Sequence, residues 1–162
     1  MKIAEIMKKM IDFSDGNIHD IDHIIRVWTY ARTIAGLEAL DAETQYTLEV
    51  AAITHDIACP LCRKKYGNTN GKYQEQEGAP LVREFLADTG MTAEQIDRVA
   101  YLVGHHHSPA QIDGIDYQIL IEADYIVNAS ESGYDQQAIR TFMEHTMKTA
   151  AGIRLTKTVF GV

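Results

Sequence analysis

The sequence predicts an all-α fold, a single-domain helical bundle of about six to seven helices spanning residues 1–162. Three observations carry that expectation. Apolar residues recur at helical spacing from end to end, only three prolines interrupt the chain, and alternating β-branched runs are scarce. An apolar fraction of 46% and a charged fraction of 23% are ordinary for a globular protein, and a chain of this length buries a core without disulfide or metal staples. No repeat, low-complexity stretch or linker divides it.

The elements follow in order. Ile3, Ile6, Met7, Met10 and Ile11 form a first amphipathic stripe, alternating with Lys2, Lys8 and Lys9. Ser14 to Asn17 breaks it, and Asn17 suits the cap of a second helix running to about Glu38. Asp20 and Asp22 then fall in its first turn, where the helix dipole favours negative charge. Asp41 caps a third helix ending near Ile57, with Tyr46, Val50, Ile53 and Ile57 as its main apolar face. From Cys59 to Lys72 the periodicity stops. Pro60, Gly67, Asn68, Asn70 and Gly71 predict a loop, and Arg63, Lys64, Lys65 and Lys72 make it locally basic. A fourth helix carries Leu81, Val82, Phe85 and Leu86, and Pro80 begins or kinks it. Thr92 and Gln95 have capping-box spacing and open a fifth helix through Ile96, Val99, Ala100 and Val103 to about His105. A sixth begins after Gly114 and reaches about Ala129. A seventh carries Ile139, Phe142, Met143, Met147 and Ala150 and stops at Gly152; the stretch from Arg154 to Val162 is too short to assign.

Fifteen basic against twenty-three acidic residues give a net charge of −8. Such a surface repels a polyanion, which argues against nucleic acid as a partner, whereas a small anion remains accessible to a site whose bound metal reverses the local field. No apolar run is long enough for a bilayer and no signal pattern opens the sequence, so no membrane association and a cytoplasmic location are expected. A homodimer is compatible with the sequence. Cys59 and Cys62 form a C-x-x-C pair, but without the βαβ setting of a redox motif they read as two small buried hydrophobes.

Chemistry is suggested by polar residues on apolar faces. Asp124 lies in the run Ile119 to Val127, apolar around most of its circumference, on the face of Leu120, Ile121 and Val127. A carboxylate there requires a partner, a hydrogen bond or a metal, and an ordinary cap or arginine contact accounts for most such cases. His23 shares a second stripe with Val27, Tyr30 and Ile34, where a lone histidine is more often a satisfied core residue than a ligand. His55-Asp56 ends the third helix, and His55 shares a face with Leu48, Ala51 and Ala52. Two imidazoles and two carboxylates together suit a divalent Mn, Fe, Co, Ni or Zn ion, with Mg also open.

The segments D-x-x-H-x-x-R-V from Asp20 to Val27, His55-Asp56 and the distant Asp124 together resemble the HD superfamily of metal-dependent phosphohydrolases. The resemblance runs from about Ile18 to Ala129. It implies an all-α bundle in which His23, His55, Asp56 and Asp124 hold one divalent metal ion. It also implies hydrolysis of a small phosphorylated metabolite, a nucleotide being the favoured class, by a metal-activated water that Asp56 orients or deprotonates.

The triple histidine extends the inward stripe of the fifth helix. His106 falls on that inward face, so it is the candidate proton donor to the leaving oxygen, and His105 is a candidate phosphate contact. Arg26, one turn past His23, is the preferred further contact for phosphate, ahead of Lys64 and Lys65. A second metal is disfavoured: two-metal members of the superfamily carry a histidine near the start of the fourth helix, where Tyr73 to Gly78 offers only Glu77 as a substitute. Two other functions remain open: a non-catalytic metal- or nucleotide-binding regulatory module, and a di-iron oxygenase, against which the same missing histidine counts.

Overall fold

The computed structural model describes residues 1–162, and all its regular structure is helical. Helix α1 spans Ile3–Phe13, α2 Ile18–Leu37, α3 Ala42–Thr54, α4 Cys59–Tyr66 and α5 Gly71–Leu86. Helix α6 spans Ala93–Val103, a 3-10 turn follows at Pro109–Gln111, and α7 Ile115–Ser132, α8 Gln136–His145 and α9 Ala150–Phe160 complete the chain. Caps expected from residue type form: the side chains of Asn17, Asp41 and Thr92 accept bonds from the first-turn amides of α2, α3 and α6, and Gln95 closes the capping box of α6.

Helix α7 is the central element. It packs against α2 and α3, while α3 also meets α6 and α6 pairs with α5. Ile24, Val27 and Ile34 of α2, Leu48 and Ala52 of α3, and Leu120, Ala123 and Val127 of α7 belong to one buried apolar cluster. Burying each large aliphatic side chain there contributes about 1.5–3 kcal/mol. Every α7 residue from Asp116 to Ala129 except Tyr125 and Asn128 is buried, so its polar side chains depend on protein partners.

Glu122 has them in number. Fully buried, it accepts bonds from Gln118 Nε2 at 2.7 Å, Lys148 N at 2.7 Å and Thr149 N at 3.1 Å, and from the Thr149 hydroxyl. This ties the α8–α9 connection to α7. The start of α7 is held by Arg98 of α6, which donates to Asp113 at 2.8 and 3.0 Å and to Asp116 at 2.6 and 2.8 Å.

The structure corrects the expected count: there are nine α-helices rather than six to seven. The predicted loop from Cys59 is helical up to Tyr66, because Pro60 stands in the first turn, where no intrahelical N–H is needed, and Gly67 at φ +72° closes the helix. Cys59 and Cys62, three residues apart, are its buried face, and both are free thiols. Pro80 lies inside α5 rather than at its start. Helix α7 runs three residues beyond Ala129. The single seventh helix expected to reach Gly152 is two helices, because Thr149 caps α9 through Gly152 N at 2.9 Å while Glu122 captures the amides before it.

Removing the Glu122 carboxylate strands those donors. Glu122→Ala is expected to lower stability by about 3 kcal/mol, read from chemical denaturation, with Glu122→Gln losing less. Gly152→Ala should also destabilise, because its added Cβ collides with the pinned Glu122 carboxylate.

Candidate metal centre

Four side chains from three elements meet between α2, α3 and α7. His23 comes from the second turn of α2, His55 and Asp56 from the turn that ends α3, and Asp124 from the middle of α7. His23 Nε2 lies 3.2 Å from His55 Nε2, 3.2 Å from Asp124 Oδ1 and 3.5 Å from Asp56 Oδ2. His55 Nε2 lies 3.5 Å from Asp124 Oδ1 and 3.7 Å from Asp56 Oδ2. His23, His55 and Asp124 are all buried.

The far side of each ring explains why the Nε2 atoms point inward. His55 Nδ1 donates to Ala52 O at 2.8 Å, and His106 Nδ1 donates to Val103 O at 2.7 Å. His23 Nδ1 bonds Glu131 Oε2 at 2.9 Å. With Nδ1–H committed, the neutral ring presents its Nε2 lone pair to the centre, which is the tautomer a metal ligand requires.

The donor set fits a divalent cation. Ligand bonds of about 2.0–2.2 Å at roughly tetrahedral angles place donor atoms about 3.3–3.6 Å apart, close to the spacings here. Two imidazole nitrogens facing each other at 3.2 Å are otherwise repulsive unless one carries a proton. Burial works against the His23 imidazolium, but the Asp124, Asp56 and Glu131 carboxylates outweigh it and raise His23 from 6.5 to about 9. Burial likewise opposes ionised Asp56 and Asp124. The histidines around them prevail and hold both well below the usual carboxylate range.

A second group adjoins the first. Asp56, His106 and His107 each bring one donor atom within 4.8 Å of the others, and Asp56 Oδ1 is 3.5 Å from His106 Nε2. That His106 nitrogen is buried and has no hydrogen-bond partner. Asp56 therefore faces His23 and His55 with one oxygen and His106 with the other. Glu77, the expected substitute for a missing histidine, is instead bonded by Lys65 Nζ at 2.6 Å and the Tyr66 hydroxyl at 2.5 Å. Gln74 lines the site in that stretch, with its Oε1 buried and unpartnered.

The centre opens into a cavity of about 150 Å³ whose wall includes Asp56, Arg63, Gln74, His107, Asp124 and Glu131. Arg26, His105, Lys64 and Lys65 do not line it. Arg26 donates to Ser130 Oγ at 2.9 Å and Glu131 Oε1 at 3.3 Å, His105 stacks on Tyr101 and bonds its carbonyl at 2.7 Å, and Lys64 is exposed at the end of α4. Arg63, given only a place in the basic loop by the sequence, stands on the wall. Glu131 was missed too, although its position seven residues past Asp124 places it on the same face of α7.

A sequence profile of the HD domain matches residues 20–137. The chain belongs to the HD domain family. Its fold is similar to a solved structure described as a predicted HD superfamily hydrolase from an uncultured Thermotogales bacterium, with 23% identity, 96% of this chain and 83% of that one covered, and a TM-score of 0.69. It is also similar to the Lin1889 protein of Listeria innocua, with 18% identity, coverage of 97% and 88%, and a TM-score of 0.60. No curated protein matches by sequence. The clustered histidines and aspartates of this HD domain are suited to hold a divalent metal.

Glu131→Gln should weaken divalent-metal binding about 10- to 100-fold, measured by competition with a chelating dye, while leaving the circular dichroism unchanged. The pH dependence has a definite sign. A folded pKa raised above the unfolded value gives stability that is complete below 6.5 and lost as pH rises through about 9. The melting temperature of metal-stripped protein should therefore fall between pH 6.5 and 9, and the added stability from metal should grow across that window.

Proposed function

We propose that this HD domain is a phosphohydrolase that cleaves a small phosphorylated metabolite, with nucleotides among the candidate substrates, and that it works in the cytoplasm. No helix is long and apolar enough to cross a membrane. The observation that carries the reading is the two-sided placement of Asp56, between the paired Nε2 atoms of His23 and His55 and the unpartnered Nε2 of His106.

His23, His55, Asp56 and Asp124 would hold a divalent ion, which would supply charge neutralisation at phosphoryl oxygens and a more acidic water. Asp56, kept ionised by its histidine neighbours, orients the attacking water and passes its proton toward His106. Burial opposes a charged His106, but the Asp56 carboxylate raises its pKa above the ordinary value. That shift favours a proton on His106, which it would deliver to the leaving oxygen. The buried surroundings strengthen each of these interactions.

The Asp56–His106–His107 group favours a second reading, in which a second cation displaces the His106 proton. Elemental analysis separates the two: one ion per chain supports the proton-donor role, and two support the dinuclear one. In a phosphate-release assay over phosphate esters with added Mn²⁺, Co²⁺ or Ni²⁺, Asp56→Asn should lower kcat by at least about 100-fold. Wild-type activity in Asp56→Asn would reject the mechanism. Metal-loaded protein that releases phosphate from no ester would leave a regulatory module as the function.

A further inference from the structure

We propose that the substrate is a monophosphate ester whose alcohol carries a flat, uncharged ring, and that a second cavity beside the metal centre seats that ring. This rests on the phosphohydrolase reading above. The cavity measures about 210 Å³. One wall is His106, His107, Asp124 and Asn128, and three of these, His107, Asp124 and Asn128, also line the metal-side cavity. The two spaces therefore adjoin across a candidate metal ligand, and a single molecule can reach both.

The opposite wall is apolar: Ile121, Tyr125, Tyr134, Phe142 and Pro109. Tyr125 and Phe142 stack with their planes 1° apart, which fixes both rings as a rigid face. Tyr134 follows Gly133, whose φ of +61° ends α7, and stands 44% exposed at the mouth with its ring 5.9 Å from that of Tyr125. An apolar cavity of roughly 150 Å³ accommodates benzene, so this one has room for one or two fused rings. Aromatic walls favour such a guest by offset or edge contacts.

Charge limits the other end of the substrate. Arg63 is the one lysine or arginine on either wall, and Asp20 holds both its terminal nitrogens, at 2.6 and 2.8 Å. Arg26 is similarly committed to Glu131 and Ser130. Asp20 and Glu131 also face the metal-side cavity. A diphosphate or triphosphate tail would meet carboxylates and no free lysine or arginine, whereas one phosphoryl group stays within reach of both the metal centre and His106. His106 lines the ring cavity, so it stands on the leaving-group side. In the reaction the water oxygen bonds to phosphorus, the P–O bond to the alcohol breaks, and the alcohol oxygen takes the His106 proton. His106 regains a proton from the water through Asp56, and the products are the alcohol and inorganic phosphate.

The test uses the metal-loaded full chain with naphthylethyl phosphate and butyl phosphate, whose leaving groups are similarly basic, and with AMP and ATP. The expected result is a kcat/KM about tenfold higher for naphthylethyl than for butyl phosphate, expressed in KM, and AMP preferred to ATP. Tyr134→Ser, at an exposed position, should reduce the naphthylethyl-to-butyl ratio severalfold with unchanged circular dichroism. Equal values for the two esters, a ratio unmoved by Tyr134→Ser, or a preference for ATP would overturn the proposal while phosphate release upheld the hydrolase reading. Should no ester release phosphate, the hydrolase reading fails and the cavity is judged by naphthyl fluorescence. Binding weakened by Tyr134→Ser then supports the ring seat, and absence of binding overturns it.

Discussion

Between α2, α3 and α7 the lone pairs of two imidazoles converge with oxygens of two carboxylates, and a positive charge in their midst makes the arrangement tolerable. A proton on His23 supplies that charge in the metal-free chain, and a divalent cation is its natural replacement. Because the donors belong to three separate helical segments, whatever occupies their centre also joins those segments. Ligand binding and fold stability at this point are one equilibrium.

Such a site depends on helices that do not rotate. A turn of about 100° in α7 would carry Asp124 off the inward face. Polar clasps on that helix oppose it: Arg98 with Asp113 and Asp116 at its start, and Glu122 with the α8–α9 connection at its middle. The ring anchors act the same way on a smaller scale. A carbonyl one turn back on the chain holds His55 and His106, and Glu131 holds His23, so the imidazoles have their orientation before any ligand arrives.

Much of this was legible in the residues. Asp124 in an apolar run and His23 on a second apolar stripe are period-3.6 arguments, and both are buried as those arguments required; His55, on the face of Leu48, Ala51 and Ala52, is buried as well. The family resemblance rested on the same positions. What escaped was tertiary. Helix α4 hides because its eight residues include Pro60 and three consecutive cations, too short and too polar for periodicity to register. Glu131 was within reach of the pattern, since it repeats the face of Asp124, but its meaning comes from His23, over a hundred positions earlier in the chain. The surroundings of Arg26 and Lys65 were out of reach for the same reason. Sequence shows the cations, while the carboxylates that occupy Arg26 and Lys65, Glu131 and Glu77, come from other helices.

That pairing sets the net field at the site. Asp20, Asp56, Asp124 and Glu131 are opposed by Arg63 and Arg26 alone, so four carboxylates against two guanidiniums leave two negative charges around the cavity. One divalent ion cancels them, as do protons on His23 and His106 in its absence, and both of those pKa values are raised. A phosphate dianion then brings two further negative charges into a space with no uncommitted lysine or arginine. A cation in the primary position alone would leave the loaded site anionic again. The protein's remaining device for restoring balance lies beside Asp56, where His106 Nε2 is buried without a partner and His107 stands next to it. Whether a proton or a second ion fills that place, the charge of the bound phosphate is what calls it in.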